Sequence, residues 1–149
     1  MVAAGGTCVV AGIDFSDGAL SAVREGRWLA ERVGLGLQVL HVVGDGVAWQ
    51  PDRHTWDWLR TASVHPNTLL VRRGLAWVEL VRHAREVSAA VVVLGSFGSS
   101  GAQAVNLGST ASRVALRAPC PVLFVGGWRE SSPPLESPHT TIHLSEGPA

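Results

Sequence analysis

Short apolar runs alternate with segments of helical periodicity from residue 9 to residue 125. The runs cover residues 9–13, 37–43, 68–72, 89–94 and 121–125, each of strand length. In most segments between them, apolar or small residues recur every three or four positions, which is typical of a helix that buries one face. Near-continuous apolar strands separated by helices predict a parallel sheet covered on both faces. Because parallel crossovers are right-handed, we expect a doubly wound α/β domain.

The helical segments before the second and fourth apolar runs have the clearest periodicity. Ser16 or Asp17 is expected to cap the earlier helix, and Gly34 with Gly36 to end it. Its apolar stripe comprises Ala19, Ala22, Val23, Gly26, Ala30 and Val33, and the later stripe comprises Trp77, Leu80, Val81, Ala84 and Val87.

Residues 44–67 have no comparably clear pattern. Residues 55–62 have room for only two helical turns, and Trp49, Trp56 and Trp58 are crowded into the segment. The sequence therefore predicts a short helix there and leaves the packing of the tryptophans open.

Glycines with a fixed spacing follow the fourth apolar run. Gly95, Gly98, Gly108 and Ser109 form the pattern G-x2-G-x9-G-S, directly before a helical pattern that ends near Ala118. Glycines let backbone N–H groups approach an anion closely, and a helix N-terminus favours negative charge. The pattern therefore predicts a phosphate site, to which Thr110 would add an amide or a hydroxyl. The other interpretation is that these are only loop glycines and a helix cap.

The same residues carry a resemblance to a known family. The stretches 91–96 and 119–125, with the glycine–serine pattern between them, resemble the C-terminal half of the universal stress protein family. Residues 8–16 are similar to its first strand and Asp-x-Ser turn, and residues 40–43 to the end of its second strand. The resemblance extends over about residues 7–126. It implies a five-stranded parallel sheet of order 3-2-1-4-5, a Rossmann-like fold of the adenine nucleotide alpha hydrolase type.

The resemblance also implies a site where the first and fourth strands end. Asp14 would hydrogen-bond the ribose or support the adenosine side of the pocket, although a turn residue at a helix start is the plainer interpretation. Ser16 would be an N-cap and a phosphate contact, and the backbone of Val42 would contact the adenine. The expected nucleotide-binding residues are Gly12, Ile13, Asp14, Ser16, Val42, Leu94, Gly95, Gly98, Gly108, Ser109 and Thr110.

The expected ligand is an adenine nucleotide, most of all ATP, with Mg²⁺ or Mn²⁺ bridging its phosphates. The chain would act as a ligand-responsive stress or signalling module. Two alternatives stay open at this point. One is slow ATP hydrolysis, and the other is an interaction module that no longer binds nucleotide, because the shortened second helical segment leaves the pocket open or Trp49 or Trp56 fills it. We identify no catalytic residue, and we expect no metal site made by the protein alone, since His139 and His143 have no evident third ligand.

Composition and charge limit the remaining function classes. The 12 basic residues, all arginines, balance 12 acidic ones, so neither nucleic acid nor a membrane surface is an expected partner. The lack of lysine excludes a Walker A loop. Two cysteines do not make a disulfide framework, and Cys8 and Cys120 are expected about 9–10 Å apart, too far to bridge.

Length and segment composition set the expected organisation of the chain. We expect one domain over residues 1–127 and a flexible tail over residues 128–149, in a cytoplasmic protein. The apolar strand at residues 121–125 would form an exposed sheet edge. The resemblance implies that this strand pairs across a two-fold axis, so a homodimer is expected.

Overall fold

The computed structural model describes residues 5–96 and 107–126, which form alternating strands and helices. The strands are β1 (Cys8–Ile13), β2 (Gly36–Val43), β3 (Leu69–Arg73), β4 (Val91–Gly95) and β5 (Val122–Val125). The helices are α1 (Asp17–Val33), α2 (Arg53–Thr61), α3 (Ala76–Glu86) and α4 (Ser109–Arg117), with a short 3₁₀ turn at Pro66–Thr68.

The five strands form one parallel sheet in the order β3-β2-β1-β4-β5. This confirms the expected doubly wound fold and its strand order. Every residue of β1 is buried, as are the first four residues of β4. These two strands lie at the centre of the sheet because their side chains are apolar on both faces, and helices cover both.

Helix α1 begins and ends where its sequence predicts. The Ser16 hydroxyl accepts a hydrogen bond from the Ala19 amide at 3.2 Å, and Gly34 ends the helix in the left-handed conformation at φ 71°. The expected stripe is buried from Ala19 to Ala30. Val33 is 40% exposed, so its assignment to the buried stripe is wrong. It is the last helical residue, and Gly34 turns the chain away there.

Helix α2 is longer than expected, beginning at Arg53 instead of Thr55. The cause is a side-chain cap: the Asp52 carboxylate accepts hydrogen bonds from the Thr55 amide and hydroxyl, both at 2.8 Å. These hydrogen bonds also lower the pKa of Asp52. The side chains of Trp58 and Leu59 are buried on the inner face of the helix.

A charged network ties α3 to the edge strand β3. Glu79 is buried, and its carboxylate lies 3.1 Å from Arg72 Nε and 2.6 Å from Arg82 Nη1. The Arg72 guanidinium also donates to both carboxylate oxygens of Glu86, at 2.8 and 3.2 Å. The hydrogen bond from Arg72 lowers the pKa of Glu86. The buried carboxylate is therefore paired with two cations, as a charge in a core has to be.

His83 joins this network from the inner face of α3. Its Nδ1 lies 3.1 Å from Arg72 Nη1 and its Nε2 lies 2.8 Å from Gln38 Oε1. A guanidinium only donates, so Nδ1 accepts from Arg72 and Nε2–H donates to Gln38. Burial, and then the nearby charge of Arg72, lower the pKa of His83. The ring is therefore held in its neutral form.

Both cysteines are free, and burial raises the pKa of the Cys120 thiol. None of the helices in the described ranges is long and apolar enough to span a membrane. The predicted tail at residues 128–149 lies outside the described residues, so the domain boundary at residue 127 stays a prediction.

Candidate functional site

A crevice opens at the carboxyl ends of β1 and β4, with a volume of about 300 Å³. This is where a doubly wound sheet presents loops to a ligand, because helices leave on opposite faces at that point. Every expected binding residue in the described part of the chain lines it: Gly12, Ile13, Asp14, Ser16, Val42, Leu94, Gly95, Gly108, Ser109 and Thr110. Gly98 and the rest of the loop at residues 97–106 lie outside the described residues.

Sequence reasoning missed several lining residues. Ala76 and Leu80 come from α3, Leu40 and His41 from β2, Ala19 from α1, and Ser96 and Ala111 flank the glycine pattern. Most are small or apolar residues whose chemistry gives no signal along the chain. Only the three-dimensional arrangement of the helices around the sheet brings them together at the crevice.

The N-terminus of α4 forms one wall of the crevice. Gly108 is the N-cap residue, and no described side chain makes a capping hydrogen bond there. The first turn of a helix has amides without intrahelical acceptors, and here Ser109, Thr110 and Ala111 all line the crevice. The first helical bond runs from the Ser112 amide to the Gly108 carbonyl at 2.9 Å. This wall therefore offers N–H donors and the positive end of a helix dipole to an anion.

The glycines that line the crevice differ in how much space each would leave for a side chain. A Cβ on Gly12 would lie 2.7 Å from side-chain atoms of Leu80 and Leu94, and one on Gly95 would lie 2.8 Å from the Gly18 carbonyl carbon. Gly95 is therefore required by packing against backbone, whereas at Gly12 the ends of two leucine side chains would have to shift. A Cβ on Gly108 would have no atom of the described residues within 4 Å. Among the described glycines of the pattern, Gly108 alone leaves its space open to the crevice.

A second wall of the crevice is the turn that joins β1 to α1. The Asp14 side chain is exposed, and its Oδ1 accepts a hydrogen bond from the Ser16 amide at 3.1 Å. Phe15, between them, has a positive φ of 61° although it is a buried aromatic residue. The left-handed region is uncommon for such a residue, so the turn is strained.

An aromatic cluster of Phe15, His41, Trp49 and Trp58 backs this turn, and sequence reasoning did not identify it. The Phe15 ring stacks on Trp49 with centroids 6.2 Å apart, and meets the edge of Trp58 at 5.3 Å. The one signal in the sequence was the crowding of tryptophans in residues 44–67. Neither Trp49 nor Trp56 lines the crevice, so the described structure shows no tryptophan filling it.

Comparisons with known proteins agree with the fold. Residues 57–126 match the model of the "Universal stress protein family". The solved universal stress protein UspA from Lactobacillus plantarum is 26% identical, with 80% of this chain and 97% of that chain covered at a TM-score of 0.64. No curated protein matches the chain significantly.

Two further solved structures are similar to the chain. A universal stress protein from Archaeoglobus fulgidus is 26% identical, covering 79% of this chain and 97% of that one at a TM-score of 0.57. A universal stress protein in complex with cAMP is 24% identical, covering 83% of this chain and 99% of that one at a TM-score of 0.59. The second shares the fold, and the bound cAMP belongs to that protein.

Proposed function

We propose that this chain, which carries a universal stress protein domain, binds an adenine nucleotide in the crevice between β1 and β4. The observation that carries the proposal is that the N-terminus of α4, where no described side chain makes a capping hydrogen bond, and the Asp14 turn line one cavity. One wall offers N–H donors to phosphates, and the other offers a carboxylate to the ribose hydroxyls. The cAMP complex of a protein with the same fold supports an adenine nucleotide as the ligand class.

Each wall has a distinct part in this proposal. The amides of Ser109 and Thr110 would receive the phosphates, with their hydroxyls as further donors. Asp14 would accept hydrogen bonds from the ribose. The expected adenine contact is the backbone of Val42, since β2 continues past its last pairing with β1 at Ile13 and His41.

We propose ATP as the nucleotide, with Mg²⁺ or Mn²⁺ on its phosphates. Within residues 5–96 and 107–126, no group of three or more His, Cys, Asp or Glu residues could hold a metal ion. A cation in the crevice would therefore take most of its ligands from phosphate oxygens and water, as Mg²⁺ commonly does. Asp14 is the acidic residue among the described residues that line the crevice. The chain would then act as a nucleotide-responsive stress or signalling module.

Calorimetric titration with ATP, ADP, AMP and cyclic AMP tests the proposal. Asp14→Asn removes the carboxylate charge and should weaken binding at least tenfold, since hydrogen bonds to a charged group contribute about 1.5–3 kcal/mol each. Asp17→Asn is the matched control, because Asp17 is exposed at the start of α1 but does not line the crevice. No binding of any of the four ligands by the wild type would refute the proposal.

The proposal extends to a homodimer through residues 121–125. Strand β5 lies at one edge of the sheet, and Leu123 is 39% exposed there. An apolar edge strand is a ready template for pairing with another chain. Light scattering should give a molar mass of about twice the 15.7 kDa of one chain. Leu123→Lys should shift the measured mass toward that of a single chain. The proposed location is the cytoplasm, where adenine nucleotides are plentiful.

A further inference from the structure

We infer that Trp58 and His41 are positioning residues that hold the Asp14 turn in the conformation in which it meets a ligand. The inference rests on the proposed nucleotide site and adds a role for α2, the segment that the sequence left unexplained. It starts from the strained residue in the turn. Phe15 has φ 61°, and a non-glycine residue stays in that region only where its surroundings enforce it.

Two side chains hold the carbonyl groups on either side of Phe15. The Trp58 indole Nε1–H donates to the Ser16 carbonyl at 3.0 Å, and His41 Nδ1 lies 2.9 Å from the Ile13 carbonyl. A carbonyl only accepts, so Nδ1–H of His41 is the donor, which fixes the tautomer of the ring. The backbone is thus fixed just before Asp14 and just after Phe15.

The Phe15 ring is held at the same time. It lies in the aromatic cluster, with its centroid 4.6 Å from His41 and 5.3 Å from Trp58. The two residues that bind the carbonyls therefore also pack on the ring between those carbonyls. With this support in place, the Ser16 amide points at Asp14 Oδ1 and orients the carboxylate.

Helix α2 can act as a fixed support because both of its ends are tied down. Asp52 caps its N-terminus through Thr55. At the other end, Arg27 of α1 donates to the carbonyls of Ala62 and Ser63 at 2.8 and 3.1 Å. The position of Trp58 is therefore set by contacts remote from the crevice, and Trp58 itself does not line the crevice.

A plain core role for Trp58 is the competing explanation, since it is only 6% exposed. Trp58→Phe removes the indole donor and keeps an aromatic ring. Leu59→Val is the matched control, because Leu59 is 2% exposed in the same core cluster but makes no side-chain hydrogen bond to the turn. Trp56→Phe, on the exposed side of α2, controls for the loss of an indole.

The experiment measures ADP affinity by calorimetry and hydrogen exchange of the Ser16 amide in the ligand-free protein. Trp58→Phe should weaken ADP binding about five- to tenfold, as expected for one lost hydrogen bond. It should also speed exchange of the Ser16 amide by a similar factor. Leu59→Val and Trp56→Phe should change either quantity less than twofold. In an Asp14→Asn background, Trp58→Phe should weaken binding less than twofold further, because its effect passes through Asp14.

Several outcomes would overturn the inference. These are unchanged Ser16 exchange in Trp58→Phe, an equal loss of affinity in Leu59→Val, or a full further loss in the Asp14→Asn background. If the wild type binds none of ATP, ADP, AMP and cyclic AMP, the proposed nucleotide function fails. The exchange of the Ser16 amide then still decides whether Trp58 holds the turn.

Discussion

The two glycines Gly95 and Gly108 line the same crevice, yet replacing them with alanine should have opposite consequences. In Gly95→Ala, the new Cβ would lie 2.8 and 2.9 Å from the carbonyl carbon and oxygen of Gly18. Ordinary contacts between carbon atoms are about 3.5–4.0 Å. The end of β4 and the first turn of α1 would therefore have to separate by about 0.7 Å, if ordinary contact is to be restored.

The cost of that separation can be estimated from overpacked cores. Added methylenes in well-packed sites typically cost about 1–3 kcal/mol. The obstacle here is backbone, which cannot rotate away, so we expect the upper half of that range. For a domain of this size, such a loss lowers the melting temperature by on the order of 10 °C.

Gly108→Ala should leave stability nearly unchanged. Its Cβ would meet no atom of residues 5–96 and 107–126 within 4 Å, and its backbone angles of φ −57° and ψ 160° are open to alanine. Alanine is a poorer N-cap, but it also lowers the entropy of the unfolded chain. The two effects are each up to about 1 kcal/mol and oppose each other. The methyl group would instead occupy crevice space beside the α4 amides, so ATP affinity should fall at least tenfold if phosphates bind there.

Thermal melts and ATP titrations of both variants check this reasoning on the same samples. Gly95→Ala should melt well below the wild type, and Gly108→Ala within about 3 °C of it. An unchanged melting temperature in Gly95→Ala would show that the close approach to Gly18 is not a constraint. Wild-type ATP affinity in Gly108→Ala would remove the start of α4 from the phosphate site.

Three further changes should alter stability in defined ways. His83 has a lowered pKa in the folded state, so the folded protein binds fewer protons and the unfolding free energy should fall as pH drops below about 6.5. In denaturant melts at pH 7.5 and 5.5, the unfolding free energy should fall less for His83→Gln than for the wild type. The two falls should differ by less than the one-proton limit of about 1.4 kcal/mol per pH unit, and equal falls would contradict this. Gly12→Ala should lower the unfolding free energy in denaturant melts by about 1–2 kcal/mol. The reason is that its Cβ meets the movable ends of Leu80 and Leu94. An unchanged unfolding free energy would refute the packing role of Gly12. Asp52→Ala should cost about 1 kcal/mol through the lost cap, with Asp52→Asn as the control that keeps most of the stability.

The parts of the fold that were predictable are those whose signals are local. The continuous apolar runs of β1 and β4 indicated central, doubly covered strands, and both are buried. Ser16 and Gly34 marked the two ends of α1, because capping chemistry depends on a few neighbouring residues. Capping also explains the early start of α2, where Asp52 was available in the sequence but was not taken as a cap.

Features that depend on contacts remote in sequence were not predictable. Gly12 and Gly95 were expected as ligand-facing glycines, but their lack of a side chain is explained by Leu80, Leu94 and Gly18. Trp49 and Trp58 gave no pattern because they pack on a turn more than 30 residues earlier in the chain, with Trp58 donating to the Ser16 carbonyl. Such pairings emerge only once the sheet brings β1 and β2 side by side.

A crystal structure of the protein grown with ATP and Mg²⁺ tests the central claim most directly. The account predicts ATP in the crevice, with phosphate oxygens within 3.2 Å of the amides of Ser109 or Thr110, as in an ordinary N–H···O hydrogen bond of roughly that length. It also predicts that a carboxylate oxygen of Asp14 lies within hydrogen-bond distance of the ribose. A crevice without nucleotide at saturating ATP, or nucleotide bound away from both walls, would contradict it.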